Sequence, residues 1–235
     1  MKKAIIFSDG ASRGNPGKGG YGAIVYTENG NERKVFELGG REENTTNNRM
    51  EMKAALEALS YLEEKKFDAH VLVCTDSSYL ANGASKWLPG WSRSGWRTKE
   101  GGEVLNKDLW KAIYAILPKM TVSWKILPGH SGIEGNERCD EIATTFADGK
   151  KADLYYGDAA FYKVSLTVPD TFAKKTEEKK GSGKAYSYVS LVGGEIKVHK
   201  TWKECEDRVK GKSGVRFKKA LSADQEEEIK RDFLS

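Results

Sequence analysis

The sequence has few cysteines: Cys74, Cys139 and Cys205 in 235 residues. Three widely separated thiols exclude a disulfide framework and a thiolate zinc cluster. Cys74 ends an apolar run and Cys139 falls in a helical pattern, so reduced structural thiols are expected. A long hydrophobic run is also missing. Nothing approaches the roughly 20 apolar residues that span a bilayer, and no membrane association is expected. The opening Lys2-Lys3-Ala4-Ile5-Ile6-Phe7 starts like an export signal, but Asp9 ends its apolar run too soon. The expected compartment is the cytoplasm. Neither sign of charge dominates, since the net charge is only +5. With 38% hydrophobic and 31% charged residues, the composition is that of a folded globular protein. The small excess is uneven: Lys and Arg number 21 against 20 Asp and Glu in residues 1–150, and 18 against 14 in residues 151–235. Any general affinity for polyanions is therefore expected in the tail.

Apolar periodicity sets the organisation. Residues 3–8 read as a buried strand, followed by a glycine-rich turn over residues 10–20. Residues 21–27 and 33–38 alternate as strands around a hairpin turn at Glu28-Asn29-Gly30-Asn31. Residues 48–64 are strong helix formers, 70–75 a buried strand, and 77–86 a helix. Residues 103–117 read as a helix stopped by Pro118, 121–127 as a strand and 135–147 as a helix. Five strands interleaved with helices predict an α/β domain over residues 1–149, a mixed sheet flanked by helices. Residues 150–185 resist assignment; 174–184 are charged and small, like a linker, and 154–168 are richer in aromatics. From Tyr186 alternation resumes through Tyr188, Ile196 and Val198, with helical patterns at 202–209 and 223–234. A small α+β module is expected over residues 186–235.

Four acids stand in telling places. Asp9 ends the first strand, where a turn role is the ordinary reading. Glu51 heads a helical stripe whose other members, Ala55, Ala58, Leu59 and Leu62, are apolar. A carboxylate there points to a core or cleft, and costs several kcal/mol unless a salt bridge or a metal compensates. Asp76 follows the apolar run of residues 71–75, where it can cap the next helix. Asp140 lies in the last helix of the domain among small neighbours; alone, it reads as a solvated acid. Together they place two acids at strand ends and two on helices able to pack on the same sheet. Oxygen ligands without Cys or His suit Mg²⁺ or Mn²⁺ rather than zinc. Two such ions can hold the attacking water and the leaving oxygen of a phosphodiester.

At this point the motifs resemble a known family. Asp9-Gly10-Ala11-Ser12-Arg13-Gly14-Asn15-Pro16-Gly17, Thr46-Asn47-Asn48-Arg49-Met50-Glu51, Thr75-Asp76-Ser77, Gly129-His130-Ser131-Gly132 and Asn136-Glu137-Arg138-Cys139-Asp140-Glu141 are similar, in order, to the motifs of type 1 ribonuclease H. The resemblance implies the ribonuclease H-like fold and an endonuclease that cuts the RNA strand of RNA/DNA hybrids, leaving 5′-phosphate and 3′-hydroxyl ends. It implies that Asp9, Glu51, Asp76 and Asp140 hold two Mg²⁺ ions, with Mn²⁺ as a possible substitute, and that His130 assists proton transfer or product release. Asn15 and Asn48 match positions that read the minor groove, where RNA displays its 2′-hydroxyls. Thr46 and Asn106 match positions that grip a DNA phosphate, and Asn48 also suits a helix cap.

Residues 77–99 contain no acid. They carry Lys86, Arg93, Arg97 and Lys99 among Trp87, Trp91 and Trp96, and match the family's basic protrusion. Cations can track phosphates while indoles cover sugars or pack the loop. In the tail, Thr201-Trp202-Lys203-Glu204-Cys205 and Gly214-Val215-Arg216-Phe217-Lys218-Lys219 resemble the small hybrid-binding, viroplasmin-like domain of eukaryotic ribonucleases H. That domain usually precedes the nuclease; here it follows. The resemblance assigns nucleic-acid contacts to Tyr188, Trp202, Phe217, Lys218 and Lys219. The competing readings are a DNA-directed nuclease of the same fold and a non-catalytic nucleic-acid-binding protein. No obligatory protein partner is implied.

Overall fold

Period-two alternation builds the sheet. In β1 (Lys2–Gly14), Ala4 and Ile6 are buried against one face together with Ala23 and Val25 of β2 (Gly17–Asn29) and Phe36 of β3 (Glu32–Thr45). The three strands form an antiparallel meander, and Gly30 turns β2 into β3 with a φ of 63°, a conformation open to glycine. The computed structural model describes residues 2–129, 131–169, 185–210, 212, 215–220 and 222–234. The chain forms two compact units, residues 1–170 and 171–235.

In the first unit, β4 (His70–Thr75) and β5 (Thr121–Ile126) add parallel to β1. Parallel neighbours need crossovers. The first is α1 (Asn47–Glu64), whose Ala54, Ala58, Leu59 and Leu62 close the core over Ala4, Ile6, Val71 and Val73. Truncating such a leucine costs roughly 2–5 kcal/mol. The second runs through α2 (Ser78–Asn82), a π-helical turn Gly83–Trp87, α3 (Leu88–Arg93) and α4 (Lys107–Ile116). These pack Leu80, Leu88, Trp110 and Ile113 on Met52 and Ala55 of α1. On the other side of β2, α5 (Glu134–Ala147) approaches so closely that a Cβ at Gly22 would lie 2.3 Å from the Cys139 carbonyl oxygen. Only glycine allows that approach.

The sheet has six strands, in the order β5-β4-β1-β2-β3-β6, which corrects the five expected. The addition is β6 (Tyr156–Asp158), paired antiparallel with β3 at Lys34–Phe36. Three residues are too few to show a period in the sequence. The helix expected over residues 103–117 starts only at Lys107, because Asn106 has a left-handed φ of 57° and Glu103 is paired in a β-bridge with Arg97. The helix expected over 77–86 is divided between α2 and the π-helical turn Gly83–Trp87, and α3 carries the helical path on to Arg93. The hairpin strands, by contrast, run well beyond their alternating cores, since their backbones keep pairing where the side chains turn polar or shrink to glycine.

The second unit is α+β. Its sheet, β8-β7-β9, consists of β7 (Ser187–Val192), β8 (Glu195–His199) and β9 (Arg216–Ala220), all antiparallel. Thr201 and Glu204 form a reciprocal capping box on α6 (Trp202–Val209), an arrangement that satisfies amides at the helix start. Ile229 and Phe233 of α7 (Ala223–Leu234) pack on Val189 and Ala220. All three cysteines are free and buried.

Candidate functional site

The site forms where β1, α1 and β4 converge. Gly10 is what permits it: a Cβ there would lie 2.2 Å from the Glu51 amide nitrogen. Without a side chain at Gly10, the first turn of α1 rests directly on β1 and sets Glu51 beside Asp9. Thr46 caps α1 by accepting from the Arg49 amide, at 3.4 Å, so the capping role lies with Thr46 rather than Asn48. Asp76 follows β4, and the cap of α2 is the next residue, Ser77. Asp76 is thereby left available for another role.

Asp9, Glu51 and Asp76 each offer a carboxylate oxygen, and the three oxygens lie within 4.8 Å of one another. Among the described residues no Lys, Arg or His forms an ion pair with any of them. Neutral donors support them instead. The Gly10 amide donates to Asp9 Oδ1 at 2.7 Å, Asn47 Nδ2 to Glu51 Oε1 at 2.9 Å, and the Ser77 hydroxyl to Glu51 Oε2. Asn136 Nδ2 stands 3.5 Å from Asp76 Oδ2. Burial, followed by the charge of Asp76, pushes the Asp9 carboxyl up to about 8, against the pull of the Gly10 amide; Asp140 and Glu51 add to the rise. Burial also raises Glu51, opposed by the Ser77 hydrogen bond. This crowding of anions fits a bound cation. The donor set is oxygen alone, which suits Mg²⁺ or Mn²⁺.

Asp140, on α5, stands outside the close triad, yet its charge reaches Asp9. His130 lies outside the described residues. Asn15 is exposed at the β1–β2 turn, before the cis Asn15–Pro16 bond, and Asn48 is exposed in the first turn of α1. Arg49 forks onto Asp108 at 2.9 and 2.6 Å, tying the start of α1, with Thr46, to the start of α4, with Asn106. That fork escaped the sequence reading, because its halves are 59 residues apart. Also missed was Tyr79. Its hydroxyl accepts from Trp110 Nε1 at 3.0 Å, lies 3.5 Å from Asn106 Nδ2, and donates to the Leu105 carbonyl at 3.2 Å.

The basic loop divides its tryptophans. Trp91 and Trp96 pack against the core of α1 and α4, Trp91 on Trp110 and Trp96 edge-on to Tyr114. Trp87 is the more open indole, 41% exposed, beside Tyr79 and Trp91. Arg93 and Arg97 are exposed, although Arg97 also donates to the Gly101 carbonyl at 2.8 Å. In the second unit Tyr188, Trp202 and Phe217 pack in series with tilted rings, centroids 5.6 and 5.4 Å apart. Lys219 is paired in register with Tyr188, and so shares its face. Lys218 is one residue out of that alternation and reaches Asp232 at 2.7 Å.

The RNase H family profile matches residues 1–148. Over 149 residues the chain is 48% identical to a ribonuclease H of Cyanothece sp. strain PCC 7425, covering 63% of this chain and 92% of that protein. Over 143 residues it is 46% identical to a ribonuclease H of Cupriavidus pinatubonensis, covering 61% and 94%. Among solved structures it is similar to LC9-RNase H1, a type 1 RNase H with the type 2 active-site motif, with a TM-score of 0.58 and 25% identity over 74% of this chain and 96% of that one. The RNase H domain of PFV, 24% identical with a TM-score of 0.52 over 64% of this chain and 98% of that domain, shares the fold.

Proposed function

The chain belongs to the ribonuclease H family and is a ribonuclease H, and from that premise we propose how its residues divide the work of cutting the RNA strand of an RNA/DNA hybrid. The observation that carries the proposal is the cluster of buried Asp9 with half-buried Glu51 and Asp76, which no described cation pairs within the matched span. These three carboxylates, joined by Asp140, would hold the divalent metal. Mg²⁺, when bound, supplies Lewis-acid stabilisation of phosphate charge and a more acidic water. Asp9 is the central ligand, being the most buried and the one whose charge the other three acids oppose. Ser77 and Asn47 keep the two oxygens of Glu51 oriented, and Asn136 steadies Asp76. Hydrolysis then leaves 5′-phosphate and 3′-hydroxyl ends.

Around that centre, Asn15 and Asn48, both exposed, would read the minor groove. Thr46, at the start of α1, and Asn106, at the start of α4, would hold a phosphate, the Arg49–Asp108 fork tying the two helix starts together. His130, which lies outside the described residues, keeps its expected role in proton transfer or product release. Trp87, Arg93 and Arg97 offer the open part of the basic loop, while Trp91 and Trp96 mainly support it. In the second unit the Tyr188, Trp202 and Phe217 cluster, with Lys219, suits the sugar-phosphate surface of a duplex. No described helix is long and apolar enough to cross a membrane, and the cytoplasm is the proposed compartment.

The test is cleavage of end-labelled hybrid with Mg²⁺, with Mn²⁺ and with chelator, beside single-stranded RNA, double-stranded RNA and double-stranded DNA. Metal-dependent cutting confined to the hybrid's RNA strand is expected. Cutting that persists in chelator would refute the metal centre. In the full chain, the paired change Trp202→Ala and Phe217→Ala is expected to raise the hybrid Kd and leave the maximal rate intact; an unchanged Kd would remove the second unit from the substrate.

A further inference from the structure

Residues 162–168 alternate without exception. Tyr162, Val164, Leu166 and Val168 are half-buried, whereas Lys163, Ser165 and Thr167 are exposed. A period of two marks an extended segment with one side laid on a surface. Four anchors fix its course. It leaves the edge of the sheet at β6, and the Tyr162 hydroxyl donates to Glu37 at 2.6 Å. The Ser165 amide donates to Glu134 Oε2, in the first turn of α5, at 2.9 Å. Lys125 of β5 then donates to the Pro169 carbonyl. The segment therefore runs from one edge of the six-stranded sheet to the strand at the other edge, past the start of α5.

This strap grips α5 along one stripe. Glu134, Arg138 and Glu141 are spaced i, i+4 and i+7, one face of a helix. Arg138 forks onto Glu37 at 2.8 and 2.9 Å and donates to the Asp153 carbonyl at 2.7 Å and to Glu141 at 2.9 Å. Asp140 is two residues beyond Arg138, roughly 200° further round the helix. It shares its side of α5 with Asn136, one turn earlier, whose amide faces Asp76 at 3.5 Å. The helix is thus held between the strap and the carboxylates.

We propose that residues 151–169 are a positioning element for the fourth carboxylate: by fixing the rotation and depth of α5, the strap sets where Asp140 stands relative to Asp9, Glu51 and Asp76. The proposal rests on the reading of Asp140 as a ligand. It extends the working nuclease past residue 148, where the family profile stops.

The test uses the full chain with Tyr162→Phe, which removes one donor and keeps the ring, and Ser165→Pro, which removes the amide donor. Three quantities are read: kcat and KM on hybrid, the Mg²⁺ midpoint of activity, and hydrogen exchange across residues 134–147 in metal-free protein. Expected are faster exchange in α5, a raised Mg²⁺ midpoint and a kcat lower by roughly tenfold in the double variant, as for other outer-shell supports. KM should stay within about twofold, since the substrate contacts are untouched. A lower thermal midpoint with α5 exchange, kcat and the Mg²⁺ midpoint all unchanged would overturn the strap's role. Asp140→Asn separates the two readings. If that variant is fully active, the ligand assignment fails; if it is inactive while the strap variants match wild type, the strap alone fails.

Discussion

Asp9 and Glu37 are both taken out of water by the same sheet, at 7% and 6% relative exposure, yet their surroundings differ in kind. Glu37 accepts two bonds from Arg138, one from the Tyr162 hydroxyl and one from the Tyr155 amide. Burial would raise its pKa, but the Arg138, Tyr162 and Tyr155 bonds together hold it below the usual glutamate range. Asp9 accepts one amide bond and faces three acids, and its carboxyl is pushed up to about 8. One buried charge is fully answered from within the chain and serves the fold. The other is left for something the chain does not supply, and that difference marks the site.

The largest expected effect comes from removing the unanswered charge. Asp9→Asn should lower the rate on hybrid on the order of a thousandfold, about 4 kcal/mol in barrier. In metal-free protein the same change should raise the thermal midpoint. A raised carboxyl binds its proton in the folded state more tightly than in the unfolded one, so Asp9 makes stability fall as pH rises from the ordinary aspartate range to about 8. The asparagine variant should lack that slope. Loss of both activity and stability would contradict the contrast with Glu37.

Breaking the answered charge should do the reverse. Glu37→Ala strands Arg138 and the Tyr162 hydroxyl, and is expected to cost about 3 kcal/mol, the low end for a buried pair, because Arg138 is still 21% exposed and keeps Glu141. For a domain of this size that is roughly 6–12 °C in Tm. A smaller effect follows with pH. A depressed carboxyl stabilises the fold above the unfolded pKa, and that contribution is lost as pH falls through the folded value. The Tm gap between wild type and Glu37→Gln should therefore close in acid, below about pH 4.3. A gap that stays constant down to pH 3 would show that packing, not charge, holds the strap.

How much of this was legible in the sequence follows the same division. Asp9, Glu51 and Asp76 could be singled out because each breaks a pattern: an acid heading the apolar stripe of α1, or acids closing apolar runs. Their convergence is then fixed by strand order and by Gly10. The Glu37 centre was not legible. Its partners Arg138 and Tyr162 are 101 and 125 residues away, and Glu37 sits in β3 as an ordinary alternating polar residue. The strap was missed for a related reason. Its Tyr162-Val164-Leu166-Val168 alternation is present in the sequence, but nothing local says which surface it lies on. Trp96 shows the converse. Beside Arg97 on an acid-free loop it reads as a contact surface, yet its ring packs on Tyr114 with the Lys111 amine 5.9 Å from its centroid.

The smallest expected effect tests which face of the second unit's sheet meets the duplex. Lys218 and Lys219 are adjacent, but β9 turns them to opposite faces. Lys218 meets Asp232 on the α7 side, while Lys219 shares the face of Tyr188 and Phe217. If the aromatic face meets the hybrid backbone, Lys219→Ala should weaken binding uniformly across sequences and reduce the slope of log K against log salt by about one. Lys218→Ala should leave that slope nearly unchanged, because Lys218 lies on the opposite face, beside Asp232. Hybrid binding titrated at several salt concentrations reads both. Equal losses from the two lysines would mean that the duplex reaches round the sheet edge and competes with Asp232, and that register alone does not decide which cations contact it.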